Sequence, residues 1–136
     1  MDFIKEFFKR DKFAEHCGIT LLEVSKGYAK AKMEITASHI NGVGTVQGGA
    51  IFTLADLVFA AASNSHGTVA VAINVSISFV KAAKTGTLFA EAKELSINPK
   101  IATYVVDVTN EKGDKVAIFN GMVYRKEETL ESIVNS

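Results

Sequence analysis

A carboxylate inside an apolar helix is costly unless something satisfies it or uses it, and Asp56 stands in such a place. The stretch from Gly48 to about Ser65 is apolar nearly all round, from Ala50, Ile51 and Phe52 through Leu57, Val58 and Phe59 to Ala62, which predicts an enclosed helix. A carboxylate held there can serve as a general base or a nucleophile. The plainer alternative is a residue on a wet sliver of the helix, or one bonded to a nearby backbone amide. Gln47-Gly48-Gly49 opens the same helix, where unpaired N–H groups and the positive end of the helix dipole meet residues with no side chains to block approach. Such a place can hold an oxyanion, or it is only a glycine turn that lets the chain enter a crowded helix. Asp56 lies eight residues beyond Gly48, about 12 Å along a helix axis. One carbonyl cannot touch both groups in a single chain, so a shared carbonyl predicts two subunits with antiparallel helices and a two-fold dimer with two shared sites.

The elements that must position these residues follow from periodicity. Phe3, Ile4, Phe7 and Phe8 fall at helical spacing opposite Lys5, Glu6, Lys9 and Arg10, which predicts a short amphipathic helix over residues 2 to about 15, within an N-terminal helical segment 1–17. It packs as a lid on the core or on a neighbouring subunit; a membrane-surface anchor would need a more basic polar face. A hairpin is predicted next, its arms Ile19 to Val24 and the alternating run around Ala29, Ala31, Met33 and Ile35, with a tight turn at Lys26-Gly27. A loop, Thr36 to Gly49, leads into the apolar helix. After it, Val69, Val71, Ile73, Val75, Ile77 and Phe79 predict one apolar face of a long strand whose other face carries Asn74, Ser76 and Ser78, small enough for a helix or ligand to lie close. Three further strands, about Thr87 to Ile97, Ile101 to Asn110 and Lys115 to Arg125, are separated by turn signals at Gly86, Pro99 and Gly113, and residues 127–136 read as a polar tail. The expectation is one α+β domain over residues 1–136, in which a six-stranded antiparallel sheet curls around one central helix and leaves edges that self-association would close.

Composition removes several classes. Residues 1–136 suit one core. Fifteen basic and fifteen acidic residues cancel, so nucleic acid is not an expected partner. The longest nearly apolar stretch is too short to span a bilayer and contains Asp56, and charges interrupt the apolar residues at the N-terminus, so a cytoplasmic chain without a membrane segment is expected. One cysteine, Cys17, precludes an internal disulfide, and His16, His39 and His66 have neither zinc spacing nor the partners of a triad; His39 reads as packing or capping the loop. Neither metal nor cofactor is expected.

The string Asn41-Gly42-Val43-Gly44-Thr45-Val46-Gln47-Gly48-Gly49, followed by Leu54-Ala55-Asp56, resembles the loop and helix start of the hotdog-fold thioesterases of the phenylacetate-pathway (PaaI) type. The likeness runs from about Gly18 to Arg125, through the Gly86 turn and the Gly113 hairpin. It implies a hotdog fold and an acyl-CoA thioesterase acting as a homodimer with shared sites, assembled as a dimer of dimers. By resemblance Asp56 is the catalytic carboxylate, the Gly48 amide polarises the thioester carbonyl, and Asn41 lies near the attacked group. Ser63 matches a supporting polar position in some members, and reads equally as a helix-end hydroxyl bonding a carbonyl one turn back. The family commonly has histidine where this chain has Gln47, which donates a hydrogen bond but cannot change charge near neutral pH.

Gly49, Asn74, Ser76 and Phe79 are the expected contacts to the substrate, with Phe52 and Phe59 as further candidates to line an acyl pocket. Lys81, Lys84 and Lys100 are either solvated strand-end lysines or partners for the phosphates of coenzyme A. Two rivals stay open: a hotdog module that binds acyl-CoA without turnover, and an acyl dehydratase, for which the helix lacks the needed histidine.

Overall fold

The computed structural model describes residues 1–136. Two short helices, α1 (Asp2–Phe8) and α2 (Lys12–His16), precede a hairpin of β1 (Ile19–Ser25) and β2 (Tyr28–Glu34). A single 3-10 turn (Ala37–His39) and a loop lead into α3 (Gly48–Ser63). There follow β3 (Thr68–Phe79), β4 (Thr87–Ile97), β5 (Ile101–Thr109), β6 (Lys115–Thr129) and a last helical turn, α4 (Leu130–Val134). The strands form one antiparallel sheet in the order β1-β2-β4-β5-β6-β3. Helix α3 lies in its concave face, and no helix is long and apolar enough to cross a membrane.

Small residues bring the helix close. Ala29 and Ala31 on β2, Ala90 and Ala92 on β4, and Ala55, Ala61 and Ala62 on α3 are fully enclosed, so side-chain volume does not hold the layers apart. Where a large ring does enter, the strand gives way: a Cβ on Gly121 would sit 2.6 Å from the Phe59 ring. That gap lets Phe59 pack against both Tyr104 and Phe119. Register shifts in β1, β3 and β4 bend the sheet around the helix.

Three expectations are corrected. The N-terminal segment is two helices, because Asp11 stops the first pattern and starts a second helix by accepting the Ala14 amide at 3.0 Å. The polar tail is ordered: β6 continues to Thr129 opposite Thr68, and the buried Leu130 anchors the final turn, its amide bonded to the Gly67 carbonyl. The apolar face of β3 is split, because a bulge between Ala72 and Asn74 shifts the alternation. Val75 and Ile77 pack on the core, whereas Val71 shares the outer face with Tyr124 and Ile73 is left at 52% exposure on the bulge. β3 is therefore an edge strand, unpaired along its outer side, with exposed apolar side chains.

Candidate active site

The loop before α3 is held by its own side chains. Buried His39 accepts the Thr36 amide at Nδ1 and, through Nε2, donates to the Cys17 carbonyl at 2.7 Å. Its carbonyl accepts the Gln47 amide at 2.7 Å. Asn41 Oδ1 accepts the amides of Val43 and Thr45, and Nδ2 donates to Thr45 Oγ1. The Val46 amide reaches the Ala83 carbonyl at 2.8 Å, tying the loop to the β3–β4 connection. Asn41 thus orders the loop, and His39 caps it.

What this frame delivers is the start of α3 with its donors free. Within the chain the amides of Gly48 and Gly49 have no acceptor. Gly48 borders a cavity of about 420 Å³ with Thr45, Ile51, Phe79 and Lys81. A Cβ on Gly48 would meet Phe79 Cζ at 3.2 Å, so glycine keeps the amide open to that cavity. Gln47 is the cap residue, its side chain exposed and without a hydrogen bond.

Two turns further along, Asp56 lies on the less covered stripe of α3 with Gly49, Phe52, Thr53 and Ala60. No donor in the chain reaches its carboxylate. Burial pushes the Asp56 pKa up from the ordinary carboxylate value, and the negative charge of Asp11 adds to the shift. A carboxylate with a raised pKa and no internal partner, on the open stripe of an otherwise enclosed helix, has the placement that a general base or a nucleophile needs. Asp11 was missed in the sequence, where only its helix-capping position gave a signal.

The other candidates separate. Ser63 is buried and donates to the Ala60 carbonyl at 3.2 Å, a helix-end contact. Phe59 belongs to the core and Phe52 packs on Phe119 at 5.6 Å, so of the three rings proposed for an acyl pocket only Phe79 lines the Gly48 cavity. Asn74 and Ser76 face away from α3, opposite Met122 and Asn120, because they alternate with the core-facing Val75 and Ile77. Lys81 borders the Gly48 cavity and pairs with Asp114 at 2.7 Å; Lys84 lies in the next cavity. Lys100 sits beyond the far end of β4, whose eleven residues span about 35 Å, and so cannot act with Lys81 and Lys84 in one chain.

At the other end of α3, His66 Nε2 bonds Glu94 at 2.8 Å and the Tyr104 hydroxyl donates to the same carboxylate oxygen at 2.6 Å. Burial opposes the Glu94 charge, but these hydrogen bonds and the charges of His66 and Arg125 outweigh it and lower its pKa. Asn64 and Ser65 close the same corner through the backbone of Ala70 and Gly27. None of these was singled out from sequence beyond His66, and all serve architecture. No cluster of three or more His, Cys, Asp or Glu side chains could hold a metal ion.

A six-stranded antiparallel sheet wrapped on one long helix defines the hotdog class. The chain belongs to the thioesterase superfamily, whose family model matches residues 43–117, from the end of the loop through α3, β3, β4 and β5 to the first residues of β6. The Escherichia coli acyl-coenzyme A thioesterase PaaI is 34% identical over 119 residues, covering 87% of this chain and 85% of that protein. Its structure superposes with a TM-score of 0.88 at 33% identity, covering 91% of each chain. An Archaeoglobus fulgidus protein whose name goes no further than esterase is 46% identical over 127 residues, covering 92% of this chain and 82% of its own. A Streptococcus mutans protein solved with acetyl CoA bound is 26% identical, with a TM-score of 0.78 over 82% of this chain and 90% of that one.

Proposed function

We propose that this chain hydrolyses aryl and medium-chain acyl-CoA thioesters to the free acid and CoA, as a homodimer whose two sites each take Asp56 from one subunit and the Gly48 amide from the other. The observation that carries it is the pairing of a free helix-start amide at a cavity mouth with a half-buried carboxylate that has no partner, too far along the same helix to reach the same carbonyl. The unpaired edge of β3, with Val71 and Ile73 exposed, suits a two-fold contact that brings two α3 helices side by side. Pairing of two such dimers is a further step of the same proposal. A reducing compartment such as the cytoplasm suits the free thiol of Cys17.

The thioester carbonyl points at the Gly48 amide, which stabilises the negative oxygen formed on attack. In one route Asp56 takes a proton from water as its oxygen bonds to the carbonyl carbon; the C–S bond then breaks and the proton passes to the departing thiolate. In the other, Asp56 itself attacks and the C–S bond breaks, expelling the CoA thiolate and leaving an acyl anhydride that water opens to the free acid and the Asp56 carboxylate. Both need Asp56 ionised. Because its pKa is raised, kcat/KM should climb with pH through a midpoint above the ordinary aspartate value, and Asp11→Asn should move that limb to lower pH by removing a like charge. A pH–rate profile of both proteins checks the shift and its sign. Gln47 holds one charge state across that range and supplies at most a hydrogen bond.

Phe79 and the aliphatic wall of the Gly48 cavity discriminate by apolar contact, worth about 1–3 kcal/mol per methylene. A broad profile over hexanoyl- and phenylacetyl-CoA is expected, with acetyl-CoA poor. Thiol release from a panel of acyl-CoAs tests the function: tight binding without release would mark a binding module, and acetyl-CoA matching hexanoyl-CoA would refute the acyl pocket.

A further inference from the structure

Beyond the Gly48 cavity lies a second one of about 420 Å³, between the 81–86 connection and the β5–β6 turn, lined by Lys81, Lys84 and Lys112 together with Glu111 and Asp114. Both carboxylates are already engaged. Glu111 Oε1 accepts the Thr87 amide at 2.6 Å, and Asp114 Oδ2 takes Lys81 Nζ at 2.7 Å. Lys84 and Lys112 have no acidic side chain within ion-pair distance. Two cations on segments far apart in sequence therefore line one cavity without a close ion-pair partner, and with Lys81 they outnumber its two carboxylates. The turn that carries Lys112 is stiff: Asn110 Oδ1 accepts the amides of Lys112 and Asp114, and Gly113 takes φ +84°. The two cavities share the wall Lys81-Ala82-Ala83. Its two alanines put no long side chain between the Gly48 cavity and the lysines.

We propose that Lys112, acting with Lys84 and Lys81, binds the phosphate-bearing end of the thioester substrate, making the β5–β6 turn part of the substrate site. The inference rests on the thioesterase function proposed above and extends it to a residue outside the loop and helix. Lys81 exchanges Asp114 for a phosphate oxygen on binding, and Lys84 and Lys112 close on the phosphates from either side of the cavity.

The test compares kcat/KM for one acyl group carried on CoA, on dephospho-CoA and on pantetheine, in wild type and in Lys112→Ala. The variant should lower the CoA-to-pantetheine preference about fivefold through KM, and Lys112→Arg should restore it. A loss seen with CoA but absent with dephospho-CoA assigns Lys112 to the 3′-phosphate; an equal loss with both assigns it to the diphosphate. An unchanged preference in an enzyme that hydrolyses the esters overturns the proposal while leaving the thioesterase function standing. If no ester is hydrolysed, titration of free CoA into the two proteins still decides: weaker binding by Lys112→Ala supports the phosphate site, and equal binding overturns it.

Discussion

Asp56→Asn is expected to lose at least about 100-fold in kcat with the fold intact, since general base catalysis alone contributes that much. The amide keeps the shape of the carboxylate but can neither take a proton from water nor form an anhydride. Stability should move the other way. Burial and the Asp11 charge raise the Asp56 pKa above its unfolded value, so the ionised group opposes folding as pH rises past that value. At neutral pH the asparagine variant should therefore melt no lower than wild type. Activity within threefold of wild type would remove Asp56 from the chemistry, whereas a large drop in melting temperature would mark it as a structural residue.

Gly48→Pro is expected to cost about 100- to 1000-fold in kcat, the range for loss of one oxyanion donor. Proline removes the N–H yet suits the first position of a helix, and Gln47 already has the extended backbone, φ −57° and ψ 132°, that a residue before proline adopts. The added side chain meets Phe79, which is 52% exposed and free to shift. Gly48→Ala separates the two effects, because it brings the same Cβ but retains the amide. Alanine close to wild type and proline inactive is the predicted pattern; equal loss in both would assign the effect to crowding at Phe79.

The sequence made the helix, its buried carboxylate and its open start legible because each is a local signal: an apolar run, one acid within it, two glycines at its head. What it hid were relations that depend on strand phase and strand length. Strict alternation from Val69 to Phe79 gives no sign of the bulge at Ile73, which puts Val71 on the outer face while Val75 and Ile77 stay on the core. Lys84 and Lys100 look equivalent as lysines beside turns, yet β4 places them at opposite ends of the sheet. Phe59 and Phe79 are both aromatic neighbours of the site on paper, and only packing against Gly121 shows that the first belongs to the core. Asp11 approaches Asp56 from an element whose helical pattern reads as continuous until the aspartate caps a new turn.

Mixing the two inactive chains, Asp56→Ala and Gly48→Pro, tests the shared site most directly. In a heterodimer the intact carboxylate of the proline chain faces the intact amide of the alanine chain, so one site of two is complete. After subunit exchange at equal concentrations, half the dimers are mixed and about one quarter of wild-type activity should return. No recovery, with exchange verified by mass-labelled subunits, would show that Asp56 and Gly48 do not meet across a subunit interface.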